Sequence, residues 1–441
     1  QTGAAHSPGV LVQSLGAGGG VAGRVFHQAS LGGTLQESVI GDAGSILYSS
    51  NDLPIITLGD ESPGVILQSI GGGGGWIGSV GEEVDMGARM QANSSAEGGN
   101  ISSISNSIIL TRGKHSPAFV AQTIGGGGGY VQLADSVDFG VSDGLGASLS
   151  ASTESGDITF VNDGSLRTKG LNSFGGLLQS VAGGGGISGS KSGQVSLADG
   201  NDSLSGDIEF TNLGTIETTG LGAHAVVLQS ISGGGGYVFG ATNIDAFPQG
   251  ESRPSGRSGD ITIRNSGDIF AKGQNSIGVF ANTATNGAFV YQNPDGTISQ
   301  QIQNISDGDE FAGQVRVTNS GQIVASGVGG IGITKSTNLK QRHGNLYVEN
   351  LEGALIQGGP DGAAIQLPTD ETETVINKGM IIGGPLGQDP AIRGIRGNDL
   401  VENYSLIAGD INIPGGRTQV INHEGARIEA NQIVLDRRSS F

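Results

Sequence analysis

Runs of glycine are the first residues in this sequence whose type and spacing suggest chemistry. Four or five glycines recur at Gly71–Gly75, Gly125–Gly129, Gly183–Gly186 and Gly233–Gly236. A phosphate-binding loop needs a helix N-terminus after the glycines and a lysine beside a serine or threonine, and no run has that sequence. The letters GVGGIG from Gly327 match a dinucleotide fingerprint, but they lack its strand–helix–strand context. We therefore interpret the glycines as closely packed corners or backbone-only strands and expect no cofactor.

Candidate catalytic and metal-binding side chains are scattered through the chain. The letters around Ser142 match a nucleophile elbow but lack its α/β context, and the acidic residues within 307–310 are too few for a calcium loop. His6 and His115 occupy a repeat position where other copies have glutamate or asparagine, which indicates a solvated corner. We expect no catalytic residue and no metal site. Carboxylates could still pair between turns for glycan cleavage, so a β-helical polysaccharide lyase or hydrolase remains an alternative.

The composition excludes several classes of protein. Of the 441 residues 83 are glycine, and 41 acidic against 22 basic residues give a net charge of −19. Nucleic-acid binding requires clusters of basic residues, so no nucleic-acid partner is expected. Cysteine is absent, which excludes disulfides and thiolate zinc sites. Hydrophobic residues make up 35%, enough to predict a folded core instead of disorder.

A glutamine-centred repeat organises the first half of the chain. Its clearest copy is ESPGVILQSIGGGGGW from Glu61. The five repeat glutamines are separated by 55, 54, 57 and 50 residues, and they are Gln13, Gln68, Gln122, Gln179 and Gln229. Asn282 takes the sixth place, where the glycine run is lost.

A second repeat, centred on an asparagine, interleaves with the first. Its copies contain Asn162, Asn212, Asn265, Asn319, Asn377, Asn403 and Asn422, and the last interval is only 19 residues. We interpret the long period as two structural turns, of which one carries the glycines. At roughly 25 residues per turn, the chain would make about 17 turns and a rod about 80 Å long.

The repeats predict an all-β solenoid with glycine-rich corners and inserted loops. Short apolar stretches alternate in period 2 and are bounded by Gly, Asn or Asp, and each interior glycine costs a helix about 1 kcal/mol. Turns would stack in register, with Val, Ile and Leu filling the core. The repeat glutamines would then recur on alternate turns and form a structural ladder through their amides.

One column of aromatic residues follows the glycine runs. Eight residues after three of the glutamines lie Trp76, Tyr130 and Tyr237, and Val21 and Ile187 take the same place in the other copies. These side chains either pack as a stack over the glycine corner or form an exposed stripe that contacts sugar rings or a partner surface. Exposure of Trp76 distinguishes the two alternatives.

The repeats resemble the passenger region of large bacterial autotransporters. The resemblance rests on the Asn-x-Gly-x-Ile motif and on Gly-Val-Leu-x-Gln-Ser-Ile followed by glycines. It covers long repeats over residues 1–330 and continues through shorter repeats over 331–441, which look like the last passenger coils. It implies a right-handed parallel β-helix on the surface of a Gram-negative bacterium or secreted from it. The membrane-embedded translocator barrel of such proteins has no counterpart in this sequence, so membrane contact would occur only through a barrel outside it.

The resemblance implies an adhesin or stalk in surface attachment, aggregation or biofilm formation. Expected partners are a host or bacterial surface glycan, a protein receptor, or further copies of the chain. Inserts at 245–259 and 293–308 are the expected variable loops, and repeated weak contacts would add through avidity. A self-assembling extracellular fibre subunit is a further alternative, since the ends of a solenoid are open sheet edges.

Overall fold

The computed structural model describes residues 1–32, 34–35, 41–86, 89–90, 95–139, 152–197, 201–239, 256–285, 288–302, 312–336, 344–369, 371–395, 397–436 and 440. All regular secondary structure in these ranges is β-strand, and parallel sheets run along the stack. The predicted all-β parallel β-helix is therefore confirmed. A search of the described residues for a helix long and apolar enough to cross a membrane finds none.

Three parallel sheets form the walls of the β-helix. The glutamine sheet comprises Val10–Leu15, Val65–Ile70, Phe119–Ile124, Gly176–Val181, Val226–Ile231, Ile277–Ala284, Ile331–Lys335, Ala363–Leu367, Pro390–Gly394, Asp410–Ile413 and Ile433–Leu435. The asparagine sheet comprises Ile46–Ser50, Ile101–Ser105, Ile158–Asn162, Ile208–Asn212, Ile261–Asn265, Val315–Asn319, Leu346–Asn350, Thr374–Asn377, Leu400–Asn403 and Gln419–Asn422. The middle sheet comprises Ile55–Thr57, Ile108–Thr111, Ser165–Thr168, Thr215–Thr218, Asp268–Ala271, Gln322–Ala325, Leu355–Gln357, Met380–Ile382, Leu406–Ala408 and Arg427–Glu429.

An outer sheet lies beside the first part of the helix and is built from the segments that follow the glycine runs. It comprises Gly19–Val25, Gly74–Val80, Gly128–Phe139, Gly185–Leu197, Gly235–Phe239, Ala288–Gln292 and Ile298–Ile302, with Ala29–Leu31 and Glu83–Met86 alongside. Small sheets on the return path comprise Ser95–Glu97, Ser152–Glu154, Asn201–Leu204 and Gly256–Arg257, and the pair Thr34–Leu35 and Arg89–Met90.

The long repeat is one coil of the helix, and the expectation of two turns was wrong. Gln13 lies directly opposite Gln68, and Asn162 lies directly opposite Asn212, so neighbouring copies are adjacent. The additional residues of the long repeat enter the outer sheet instead of making another turn around the core. The described glutamine sheet has 11 strands, so the stack is about 50 Å long at roughly 4.8 Å per strand, shorter than the 80 Å expected.

The two largest hydrophobic cores among the described residues run along the stack. Inward-facing side chains of the three walls, such as Leu67, Phe160 and Ile216, form the inner core. Outward-facing side chains of the glutamine sheet, such as Ile66 and Val120, pack beneath the outer sheet in a second core. Strands buried on both faces explain why the VILQSI segment is apolar without alternation.

Glycine is required where the outer sheet folds back. Gly128 has φ 141°, a conformation that side chains with a Cβ rarely adopt. A Cβ at this position would lie 1.8 Å from the carbonyl oxygen of Gly185 in the next coil. Neighbouring backbones therefore stack closely only because these positions lack a side chain.

Candidate functional site

The aromatic column after the glycine runs is buried. Tyr130 lies opposite Trp76 on one side and Ile187 on the other, and Ile187 lies opposite Tyr237. Trp76 is 2% exposed, and Tyr130 and Tyr237 are 0% exposed. The column belongs to the second core, between the outer sheet and the glutamine sheet. The exposed-stripe interpretation of Trp76, Tyr130 and Tyr237 is therefore corrected, because the outer sheet turns these rings towards the helix.

The repeat glutamines form a continuous amide ladder between adjacent coils. Each Nε2 donates to the Oε1 of the next glutamine, at 2.7 Å from Gln13, 2.8 Å from Gln68, 2.8 Å from Gln122 and 2.6 Å from Gln179. The same nitrogen of Gln122 also donates to the carbonyl oxygen of Gly129, at 3.2 Å. The ladder thus joins the coils to one another and joins the glutamine sheet to the outer sheet.

A second amide ladder runs along the end of the asparagine sheet. Asn212 Nδ2 donates to Asn265 Oδ1 at 2.7 Å, and Asn265 Nδ2 donates to Asn319 Oδ1 at 2.8 Å. The series begins with Asn162 and continues through Asn350, Asn377 and Asn403 to Asn422. Amide side chains with both a donor and an acceptor can repeat this pattern indefinitely, which accounts for the repeat asparagine without a ligand.

A left-handed corner explains the variable repeat position that includes two histidines. His6, Glu61, His115, Asn172 and Asn275 all have φ between 49° and 55°. Asparagine tolerates this region better than most residues, and glycine takes the place in other coils. His6 Nδ1 lies 2.8 Å from Glu61 Oε2, so these two corner residues pair between neighbouring coils.

His224 is enclosed in the second core and is held in its neutral form. Its Nδ1 accepts a hydrogen bond from the backbone N–H of Ile277 at 3.0 Å, and its ring stacks on Phe174 with 5.5 Å between centroids. Burial lowers the pKa of His224 to about 3, because a charged ring would lose its hydration. The ring is 0% exposed, so it is a structural residue with no access to a substrate.

A cleft opens where the outer sheet ends, and we call it the step cleft. It has a volume of about 250 Å³, and its lining includes apolar Phe280, Ile298 and Ile331 and polar Thr334, Ser336 and Gln366. Ile298 belongs to the last outer strand, which pairs antiparallel with its neighbour. The expected variable loop from Asn293 is thus partly the hairpin that borders this cleft. The lining also includes Lys335, which is 5% exposed. The other polar groups are neutral hydroxyls and amides, which beside apolar side chains are suited to a small polar ligand with a nonpolar face.

The position of the step cleft follows from a change of polarity along one column of the glutamine sheet. Val227 lies opposite Phe280, and Phe280 lies opposite Thr334, which lies opposite Gln366. The apolar members lie under the outer sheet, and the polar members lie beyond it. Once the strand register is known, the sequence itself shows this change from apolar to polar residues.

A cluster of charged side chains lies in the interior of the β-helix, and we call it the core charge cluster. It consists of Lys335, Glu373 and Asp399, which are 5%, 0% and 1% exposed. Lys335 Nζ lies 3.7 Å from Glu373 Oε1, and Asp399 Oδ1 accepts the Glu373 N–H at 3.1 Å. Burial raises the pKa of the Glu373 carboxyl above its usual range and raises the pKa of Asp399 to about 7.

The core charge cluster lies in two series of aligned positions that face the inner core on successive strands, where other coils have apolar residues. Lys335 lies opposite Ala281, an inner-core residue. Thr374 lies opposite Tyr347 and Leu400, so Glu373 and Asp399 continue the column that contains the inner-core residue Leu346. The cluster was not predicted from the sequence, because with the wrong turn length the inward-facing positions could not be identified.

Several candidates from the sequence cannot be placed. Ser142, the acidic residues within 307–310 and residues 245–255 of the first expected insert lie outside the described residues. In the part of the chain that is described, no group of three or more His, Asp or Glu side chains is arranged to hold a metal ion. Comparison of the chain with protein-family models, curated proteins and solved structures finds no match.

Proposed function

We propose that this chain is part of an exported bacterial surface protein of the autotransporter-passenger type, acting as a stalk that carries an adhesive site. The observation that carries the proposal is the continuous parallel pairing of the glutamine sheet over 11 described strands, interrupted by a single shift of register between Pro390 and Ile392. Two amide ladders reinforce that register on separate sheets. Such a stack is suited to holding a binding surface at a fixed distance from its attachment point.

The step cleft is the adhesive site that the geometry supports best. Its volume of about 250 Å³ suits one ring of a surface glycan more than a large ligand. The partly exposed side chains of Ile298 and Ile331 offer apolar contact to a sugar ring, and Thr334 and Gln366 offer hydrogen bonds to its hydroxyls. The buried aromatic column no longer supports glycan binding, since Trp76 is 2% exposed.

The test is adhesion of beads coated with the purified chain to immobilised bacterial, plant and host polysaccharides. Retention on at least one polysaccharide without new chain ends is expected, and Thr334→Val or Gln366→Ala should reduce it severalfold. Thr159→Val is the matched control, because Thr159 is exposed on the asparagine sheet away from the cleft.

Other outcomes would favour the other classes of function. New polysaccharide ends would refute the adhesin and support a lyase or hydrolase. Clumping of beads without polysaccharide would support the self-assembling fibre subunit. Retention that is unchanged by both cleft variants would place the adhesive surface elsewhere on the chain.

A further inference from the structure

The core charge cluster is poorly accounted for as an ion pair. Taking two charges out of water is costly, and the attraction between them offsets that cost only when the geometry is excellent. The distance of 3.7 Å between Lys335 Nζ and Glu373 Oε1 is longer than the 2.7–2.9 Å of a charge-assisted hydrogen bond. Glu373 Oε2 is buried without a hydrogen-bond partner. The charged pair therefore leaves one carboxylate oxygen desolvated and unpaired.

We propose that Lys335 and Glu373 condense to an intramolecular isopeptide bond that crosslinks the inside of the β-helix. Both side chains are at least 95% buried, and the nucleophilic nitrogen already lies against the carboxyl group. No other molecule is needed, because condensation of an amine with a carboxylic acid releases only water.

The protons and electrons of this step balance within the pair. Lys335 first transfers one proton to the Glu373 carboxylate, which gives a neutral amine and a neutral acid. Burial favours this transfer because it removes both charges from a nonpolar interior. The nitrogen lone pair then attacks Glu373 Cδ, and a C–N bond forms. The Cδ–Oε2 bond breaks, and that oxygen leaves as water with its own proton and one proton from the nitrogen.

The surroundings match the product better than the ion pair. Thr369 Oγ1 donates to Glu373 Oε1 at 2.7 Å, and the amide carbonyl oxygen would keep this hydrogen bond. Lys335 Nζ also donates to the carbonyl oxygen of Gly344, and the amide N–H would keep that one. The oxygen that is lost as water is Oε2, the atom without a partner. The product thus has no charge and no orphaned polar atom at this point.

A second lysine–glutamate pair in the same chain is an internal control. Lys378 Nζ lies 2.6 Å from Glu349 Oε1, closer than in the buried pair, but the lysine side chain is 45% exposed. In water both groups remain charged, and a charged amine is not a nucleophile. We therefore expect condensation at Lys335 and none at Lys378, although simple proximity would favour Lys378.

The test is the intact mass of the folded, full-length chain followed by peptide mapping. The expected mass is lower than the sequence mass by one water, about 18 Da, with a branched peptide that joins Lys335 to Glu373. Lys335→Met should abolish the mass loss, and Lys378→Met should retain it. Mapping separates the crosslink from cyclisation of Gln1, which removes ammonia, and from dehydration at aspartates.

Three results would overturn the proposal. They are an unmodified mass with separate Lys335 and Glu373 peptides, a mass loss that persists in Lys335→Met, and a branched peptide at Lys378 instead. The wild-type measurement decides the matter even if a core variant fails to fold.

Discussion

The glutamine ladder makes a quantitative prediction for Gln122→Leu. Gln122 takes part in three side-chain hydrogen bonds, with Gln68, Gln179 and the carbonyl oxygen of Gly129. Each hydrogen bond contributes about 1 kcal/mol net, and an orphaned buried acceptor costs a further 1–3 kcal/mol or so. The substitution leaves Gln179 Oε1 without its donor, while Gln68 Nε2 still donates to Gly75. Burial of the leucine offsets part of the loss, so we expect destabilisation by about 2–3 kcal/mol.

The control for this substitution lies at the end of the same ladder. Gln13 has one neighbour in the ladder and is only partly buried, so Gln13→Leu breaks one ladder hydrogen bond, where Gln122→Leu breaks two. It also leaves Gln68 Oε1 without its donor, so we expect a smaller cost than for Gln122→Leu, about 1–2 kcal/mol. Both variants are measured by urea unfolding followed by far-ultraviolet circular dichroism, with equal m-values as the criterion that the same unit unfolds.

A double variant tests whether the ladder is cooperative. Gln122→Leu and Gln179→Leu share one hydrogen bond, and the double variant removes the acceptor that the first substitution orphans. Its cost should be about 2 kcal/mol below the sum of the single costs. Additive costs, or a wild-type midpoint for Gln122→Leu, would refute the claim that the amide ladder stabilises the stack.

Three further predictions concern the glycine corners, the second core and the dependence of stability on pH. Gly128→Ala should lower the free energy of unfolding by more than about 3 kcal/mol, because of the positive φ of this residue and its close contact with the next coil. Gly176→Ala is the control and should be nearly neutral, because a Cβ there meets nothing within 4 Å. Thermal unfolding of the two variants measures the difference. Trp76→Ala should cost about 3–5 kcal/mol through the cavity it leaves, with unchanged retention in the bead assay, and lost retention in a folded variant would contradict the burial argument. Since the pKa of His224 falls from 6.5 to about 3 on folding, it contributes stability above pH 6.5 that is lost as the pH falls through about 3, and His224→Gln should make an acid titration of stability shallower in that range. The pKa of Asp399 is raised on folding, so its contribution to stability has the opposite dependence on pH: it is present below the usual pKa of 3.8 and is lost as the pH rises through about 7. Asp399→Asn should therefore reduce the loss of stability between these pH values, and an unchanged profile would contradict the assignment.

The sequence predicted the fold class because the repeats carry local rules. Left-handed corners, apolar core positions and stacked amides each require a particular type of residue at a fixed position of the repeat. Asn265 and Gln122 are examples of the stacked amides. The turn length could not be predicted in this way, because a strand after Gly125–Gly129 has the same composition whether it circles the core or folds back over it. Only the pairing of adjacent copies, such as Gln13 with Gln68, distinguishes the two.

The error in turn length also produced the errors at the candidate sites. A second layer over the glutamine sheet was needed to recognise that Trp76 is buried. One sign of that layer was present, because segments such as Val65–Ile70 are apolar on both faces, and a wall with one solvated face would alternate. Correct turn length would likewise have placed Lys335 and Glu373 in inner columns and marked them as anomalous.

The boundary at the step cleft connects the second core with the core charge cluster. Coils before the boundary bury apolar residues on both faces of the glutamine sheet, as with Val227 and Phe280. Coils after it have polar residues on the outward face, so each buries less apolar surface and gains less stability from burial. Lys335 lies at the first strand beyond the boundary, where the proposed crosslink would join coils that lack the outer layer. A covalent bond stabilises the folded state by restricting the unfolded chain. The proposed crosslink would therefore add stability where apolar burial decreases, which explains why a lysine stands at this inner-core position.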